Sequence, residues 1–199
     1  MNANRHLGRQ SGFTLLEVLV SLTILVFGLL GLIGMQAQSQ IATFESYQRG
    51  QALILVQDMA DRLSTNRKAA GCYAITTSTT AGTPYLGTSA TAATACAAGV
   101  GTTATRATAQ TDLQAWNDAL VGASELSGTD KVGGVLGARG CITFSATTNA
   151  YRVAVAWQGM AATVAPTAGD TAATCGKDLY GSEAQRREVS VTIRIANLI

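Results

Sequence analysis

The sequence has few of the side chains on which most enzymes depend. It contains one histidine, His6, two prolines and only 13% charged residues among 199. Histidine-based catalytic triads are therefore excluded for residues 13–199, and no glycine motif with a phosphate-binding lysine is present. The carboxylate pair Asp58 and Asp61, with Arg62 beside it, is typical of a solvated helix face. We therefore expect no catalytic residue and no cofactor.

A long, strongly apolar stretch lies near the N-terminus. From Phe13 to Met35 the only ionisable side chain is Glu17. A helix of this length, at about 1.5 Å per residue, spans a hydrocarbon core of about 30 Å. The sequence therefore predicts a transmembrane helical segment over residues 13–35.

The net charge of +2 comes from the residues that precede this segment. Arg5 and Arg9 lie there without an acidic residue, whereas residues 13–199 hold equal numbers of basic and acidic side chains. By the positive-inside rule this basic leader marks the cytoplasmic side, which places the C-terminal part in the periplasm. The pair Arg186-Arg187 is flanked by acidic residues, so we expect a solvated patch and no nucleic-acid partner.

All four cysteines follow the apolar segment, in the part assigned to the oxidising periplasm. No C-x-x-C spacing occurs, which favours structural disulfides over a metal site. Four cysteines allow three pairings, and we favour the sequential one, Cys72–Cys96 and Cys141–Cys175. Each bond would close a loop, which stabilises the fold by about 3–4 kcal/mol through chain entropy.

A short motif lies between the basic leader and the apolar segment. In an ordinary secretory signal small residues follow the apolar run, whereas here Gln10-Ser11-Gly12 precede it. The hexapeptide Gly12-Phe13-Thr14-Leu15-Leu16-Glu17 resembles the prepilin processing motif of type IV pilins and type II secretion pseudopilins. The resemblance implies that residues 1–12 are a leader peptide, that prepilin peptidase cuts after Gly12, and that the new amine of Phe13 is methylated.

Glu17 is the acidic residue of the resembled motif. An ionisable side chain inside a membrane helix costs about 2.5–3.5 kcal/mol on insertion scales, so it is usually paired and functional. The resemblance implies a partner, the Phe13 amine of a neighbouring subunit, and hence a role for Glu17 in subunit assembly. The alternative is a glutamate near the helix end that extends toward the lipid headgroups.

Three glycines, Gly28, Gly31 and Gly34, recur in the apolar segment. Each costs a helix interior about 0.8–1.0 kcal/mol relative to alanine. One interpretation is a packing face, because small residues let membrane helices approach closely. The other is a stretch that loosens when the subunit leaves the membrane for a filament, and the resemblance to pilins slightly favours it.

The helical pattern continues beyond the apolar segment as an amphipathic stretch, residues 36–66. Apolar-facing positions recur at spacings of three and four: Ile41, Phe44, Gln48, Ala52, Leu55, Val56, Met59 and Leu63. This stripe is predicted to pack on a sheet in a periplasmic globular domain, residues 67–199. The fold class is pilin-like α+β: a long N-terminal helix, first transmembrane and then amphipathic, on an antiparallel β-sheet.

The globular domain begins with a segment rich in threonine and alanine. Residues 76–111 show no sustained period, so we predict an irregular loop there. A short helix is predicted after Thr111, which fits the first position of a capping box. Alternation then predicts a hairpin of residues 141–144 and 151–157 and a strand over residues 188–195.

Shorter stretches sharpen the resemblance. Asp58–Arg62, Asp112-Leu113 with Trp116, and the strand Tyr151–Trp157 are similar to type IV minor pilins of the PilV (type IV pilus modification protein) family. We predict that Trp116 and Trp157 are core aromatics without a ligand. The resemblance implies a non-enzymatic minor pilin that helps to initiate or complete pilus assembly, for adhesion and twitching motility.

This function implies a set of partners and two locations. The partners are prepilin peptidase, other minor pilins, the major pilin and the inner membrane, with a tip adhesin as a further candidate. The protein is expected as a single-pass inner-membrane protein with a periplasmic C-terminal domain, and then in the pilus (fimbrium). The alternative is a minor pseudopilin of a type II secretion system, which shares the same N-terminus.

Overall fold

The structure, a computed structural model, describes residues 12–88, 96–123, 125–131, 133–166 and 173–195. Contacts divide the chain into two units, residues 1–43 and residues 44–199. Helix α1 (Leu15–Thr65) contributes its first part to one unit and the rest to the other.

The first unit contains the N-terminal part of α1, which is apolar on every side. Its large apolar side chains from Phe13 to Met35 are 49% to 83% exposed. The hydroxyls of Ser21 and Thr23 donate to the carbonyls of Glu17 and Leu19 at 2.7 and 2.6 Å, so both are satisfied without water. A helix that is hydrophobic all round is typical of a membrane span, and α1 is long and apolar enough for one.

In the second unit α1 buries one stripe of side chains. Gln48, Ala52, Val56, Met59 and Leu63 are at most 3% exposed, which confirms the predicted stripe. The buried stripe begins later in the chain than predicted, because Phe44 is 44% exposed.

Helix α2 (Thr103–Leu120) begins inside the segment that was predicted to be an irregular loop, so that prediction was wrong there. Thr102 caps the helix: its hydroxyl accepts from the Thr105 backbone N–H at 3.2 Å, and the Thr105 hydroxyl accepts from the Thr102 N–H at 2.8 Å. The predicted start after Thr111 is therefore also wrong. The first half of α2 is mostly threonine and alanine and buries only Ala109, so no apolar period marked it.

Short elements connect the larger ones. A 3₁₀-helix (Arg67–Cys72) follows α1, and another (Glu183–Gln185) precedes the last strand. After α2, the two-residue strands β1 (Leu126–Ser127) and β2 (Asp130–Lys131) pair in a small antiparallel hairpin.

The main sheet has three antiparallel strands in the order β3 (Arg139–Ser145), β4 (Ala150–Gln158) and β5 (Arg186–Ile193). These strands confirm the predicted hairpin and C-terminal strand. The second half of α1 shares one core cluster with Ile142, Val153 and Val155 on one face of the sheet. The chain therefore has a pilin-like α+β fold.

The two faces of the sheet are covered differently. On the face opposite the helices, Ala154 and Ala156 pack with Tyr180 and with the disulfide between Cys141 and Cys175. The other disulfide joins Cys72 to Cys96, so the pairing in the structure is sequential. In the described parts of the chain no group of His, Cys, Asp and Glu side chains lies close enough together to hold a metal ion.

Helix α2 approaches the sheet closely because of one glycine. The Trp116 indole is fully buried, and its Nε1–H donates to the Leu55 carbonyl at 2.9 Å. Trp157 is buried as well, so both tryptophans are core aromatics, as predicted. A Cβ on Gly140 of β3 would lie 2.6 Å from atoms of Trp116 and Leu120, so no larger residue fits without moving the helix.

Candidate processing and assembly site

The predicted cleavage site lies in accessible, non-helical backbone. Gly12, Phe13 and Thr14 precede α1, and a side chain at Gly12 would meet no other atom within 4 Å. Phe13 is itself exposed. The Gly12–Phe13 peptide bond is therefore open to a peptidase, as exposed segments outside regular structure usually are.

Thr14 caps the N-terminus of α1 and positions Glu17 in the first turn. The Thr14 carbonyl accepts from the N–H groups of Glu17 and Val18 at 3.1 and 3.4 Å, and its hydroxyl lies 3.4 Å from the Glu17 N–H. A carboxylate in the first turn is favoured by the helix dipole. This capping arrangement was not predicted, although the Thr-x-x-Glu spacing is the sequence signal of a capping box.

Glu17 has no ion-pair partner among the residues that the structure describes. Most of its neighbours in α1 are apolar and exposed, and the Ser21 hydroxyl one turn further along donates to the Glu17 carbonyl. A side chain at Gly28, Gly31 or Gly34 would meet no atom of another residue within 4 Å. No contact within the described chain therefore requires these glycines, and the roles assigned to them and to Glu17 stay predictions.

A second cluster of charges holds the start of the domain-bound part of α1. Glu45 Oε1 accepts from the backbone N–H groups of Met160 and Ala161 at 2.9 and 3.0 Å and from Arg187 Nη2 at 3.3 Å. Burial alone would raise the pKa of Glu45, but these hydrogen bonds and the charge of Arg187 outweigh it and lower the pKa below its usual value. More than a hundred residues separate Glu45 from its partners, so no local pattern signals this contact.

The predicted solvated patch at Arg186-Arg187 is wrong. The Arg186 side chain is buried, with hydrogen bonds to Glu183 at 2.8 Å, Glu188 at 2.9 Å and the Cys175 carbonyl at 3.2 Å. Arg187 is bound to Glu45. Both guanidinium groups are thus engaged inside the domain: the flanking carboxylates Glu183 and Glu188 converge on Arg186, and the distant Glu45 binds Arg187.

A polar network joins the end of α1 to α2. Arg62 forms ion pairs with Asp58 at 2.9 Å and with Asp112 at 3.1 Å. The Tyr73 hydroxyl donates to Asp112 at 2.5 Å and accepts from Asn66 Nδ2 at 3.1 Å. Burial, together with the hydrogen bond to Asp112, raises the pKa of Tyr73. The acidic residues therefore have a structural role in this network.

The N-terminal residues match a known family model. Residues 7–33 match the prokaryotic N-terminal methylation motif. No curated protein and no solved structure gives a significant match to the chain.

The motif and the fold together define the class of protein. The chain is a pilin-like or pseudopilin-like protein, a structural class without enzymatic activity. The motif implies processing by prepilin peptidase, and the hydrophobic helix that carries it fits a membrane-anchored protein.

Proposed function

We propose that the protein is a minor pilin, a structural subunit that helps to initiate or complete assembly of a type IV pilus and so supports adhesion and twitching motility. The observation that carries the proposal is the exposed apolar part of α1, with one ionisable side chain beside an accessible cleavage site. Contiguous apolar surface of this extent marks a membrane or protein interaction site. A subunit that is first inserted in a bilayer and then packs into a filament uses this surface for both interactions.

The proposal assigns a role to each part of the chain. Residues 1–12 are the leader, residues 13–35 span the inner membrane, residues 36–66 continue the helix, and residues 67–199 fold in the periplasm. Cleavage after Gly12 removes the basic leader but leaves the apolar helix on the mature chain.

Glu17 supplies the register of assembly. Cleavage creates a positively charged amine at Phe13, and Glu17 of a neighbouring subunit compensates it. Opposite charges about 4 Å apart attract by about 4 kcal/mol at an effective dielectric constant of about 20, which favours one axial position of neighbouring helices over others. The neighbours are other minor pilins and the major pilin, with a tip adhesin as a further partner.

A minor pseudopilin of a type II secretion system is the second candidate, because the N-terminal motif is common to both classes. Two features favour the pilus subunit over the pseudopilin. The Trp116 segment resembles minor pilins of the PilV family, and the globular domain contains disulfide bonds. Deletion of the gene, scored for sheared surface pili and for secreted enzymes, separates the two. Lost pili with intact secretion support the proposal, whereas lost secretion with normal pili contradicts it.

Two variants test the N-terminal roles directly. Gly12→Val is expected to keep residues 1–12 on the chain, which mass spectrometry of the purified protein detects. Glu17→Gln is expected to be cleaved normally but to be depleted from sheared pili. Ser21→Ala is the matched control, because that hydroxyl bonds only to its own helix. Normal incorporation of Glu17→Gln would contradict the assembly role.

A further inference from the structure

The two outer edges of the main sheet differ in how they are covered. At β3, Leu86 and Gly140 exchange backbone hydrogen bonds at 2.8 and 3.0 Å, and the Thr76 N–H donates to the Ile142 carbonyl at 2.9 Å. At β5, no backbone segment among the described residues pairs with the strand on the side away from β4. Within the described residues, the β3 edge is therefore covered from Gly140 to Ile142 and the β5 edge is open.

The register identifies the groups that are free at the open edge. The Gly159 N–H donates to the Gln185 carbonyl at 2.7 Å, whereas the Ala184 carbonyl accepts from Thr163 at 2.8 Å. Because N–H and C=O directions alternate along an antiparallel strand, odd-numbered residues of β5 bond to β4 and even-numbered residues point outward. Ser190 and Thr192 therefore present their backbone N–H and C=O groups outward, and both residues are exposed.

From Val189 to Ile193 the open edge lacks the features that usually protect one. Charged side chains, prolines and bulges keep edge strands from pairing with other chains. From Val189 to Ile193 the strand has no charge and no proline, and it pairs with β4 without a bulge.

The side chains of β5 are also incompletely covered. Val191 and Ile193 pack against the core cluster but are only partly buried, whereas their neighbour Val153 on β4 is fully buried. Beyond them Arg194 is exposed, and it forms no ion pair with any residue that the structure describes. An additional strand would cover the apolar side chains if its own apolar residues faced the helices.

We propose that the open edge of β5 accepts an extended strand from a different pilin-like subunit, which adds a fourth strand to the sheet. The free backbone groups favour an extended segment as the partner. The partly buried Val191 and Ile193 favour alternating apolar residues in that segment, and Arg194 favours an acidic residue near one of its ends. The inference rests on the proposed function, because the filament supplies the neighbour.

A second copy of this chain fits the edge less well. The β3 edge of its described main sheet is covered at Gly140 and Ile142, so two copies would have to join β5 to β5 about a two-fold axis. Such an isologous contact closes a pair, whereas successive subunits of a filament meet through heterologous contacts. A neighbour of different sequence has no such restriction.

The test uses the full-length chain in its own bacterium. A photo-crosslinking amino acid replaces Ser190, and adducts from membranes and sheared filaments are identified by mass spectrometry. We expect adducts to an extended segment of another chain that carries an N-terminal methylation motif. Thr192→Pro, which removes an outward N–H, is expected to lower the adduct yield about tenfold, because one intermolecular hydrogen bond is lost and its acceptor is left unsatisfied.

Two further variants control for the side chain and the fold. Thr192→Val keeps the backbone N–H and should give the adduct at the original yield. Val191→Pro removes an N–H that bonds to β4, so it should destabilise the domain, whereas Thr192→Pro should keep both disulfides and a cooperative unfolding transition. An undiminished adduct in a folded Thr192→Pro chain would overturn the proposal.

The remaining outcomes are also decisive. Adducts only within the same chain, only to a second copy, or only to a protein without the motif overturn the assigned occupant. A chain that is cleaved after Gly12 but gives no adduct contradicts the edge inference alone. A chain that keeps its leader contradicts the proposed function, and the edge inference fails with it.

Discussion

The two parts of α1 are continuous in backbone but differ in what surrounds their side chains. From Phe13 to Met35 the large apolar residues are all exposed. From Gln48 to Leu63 one stripe is almost completely buried, and most of the remaining surface is polar, with Leu53 and Ile54 as exposed apolar residues. The first part leaves all of its large apolar side chains exposed, whereas the second part has buried most of its own inside the domain.

This difference separates assembly from folding. Burial of apolar area contributes about 25 cal/mol per Å², so the second part stabilises the domain, while the first contributes only when a membrane or other helices cover it. Substitutions in the second part should therefore change the unfolding of the domain. Substitutions in the first should leave that unfolding unchanged.

The largest loss is expected from Trp116→Ala. The change removes a fully buried indole and its hydrogen bond to Leu55, so the free energy of unfolding should fall by about 3–5 kcal/mol in denaturant titrations. Tyr47→Ala, at a residue 63% exposed, is the control and should lie near the wild type. A small loss for Trp116→Ala would show that the α2 contact does not hold the domain together.

Removal of the buried disulfide should rank next. The double substitution of Cys141 and Cys175 by alanine opens a loop with a sequence separation of 34, which should lower the free energy of unfolding by about 3–4 kcal/mol. The bond between Cys72 and Cys96 spans 24 residues and should matter slightly less. Thermal unfolding of both double variants checks this order, which the reverse ranking would contradict.

Tyr73→Phe tests the polar network at the end of α1. It removes the hydroxyl that donates to Asp112, leaving a partly buried carboxylate with one partner fewer, so a loss of about 1–3 kcal/mol is expected. Tyr47→Phe is the matched control, since its hydroxyl is exposed. Equal stabilities of the two variants would mean that the network contributes little.

Glu45→Gln should have a smaller and pH-dependent effect. Because the pKa of Glu45 is lowered in the folded protein, its contribution is complete above its unfolded pKa of about 4.3 and is lost as the pH falls through the folded value. At pH 7 the loss on substitution should stay below about 1 kcal/mol, as for other partly exposed ion pairs. The stabilities of wild type and variant should converge as the pH falls below the folded pKa of Glu45, and a constant gap would contradict this linkage.

Gly31→Ala should leave the unfolding of the domain unchanged. Within α1 itself the alanine should add about 0.8–1.0 kcal/mol of helix stability, which hydrogen exchange of the neighbouring amides in detergent measures. A shift of domain unfolding would show that the two parts of α1 are energetically coupled. Normal incorporation into filaments despite slower exchange would contradict loosening as the role of Gly31.

The sequence predicted the elements whose burial is periodic. The stripe in α1 and the alternation in β4 and β5 are local patterns, because each core-facing side chain recurs at the period of its own helix or strand. The methylation motif was also local and could be recognised from adjacent residues.

The features that were missed depend on residues far apart or on weak local signals. The start of α2 is a threonine–threonine capping box before alanines, which carries no apolar period. The burial of Arg186 requires Glu188 and the Cys175 carbonyl to converge after folding. The contact of Glu45 with Met160 joins segments that nothing in their local sequence relates.

Gly140 sets the distance between helix α2 and strand β3. Because the Trp116 ring occupies the volume that a side chain at this position would need, the separation between α2 and β3 is set by one missing methyl group. The outer surface of α2 is therefore held at a fixed height above the sheet. A substitution at Gly140 would push α2 away from the sheet. It would displace the outer surface of α2 without changing any residue on that surface.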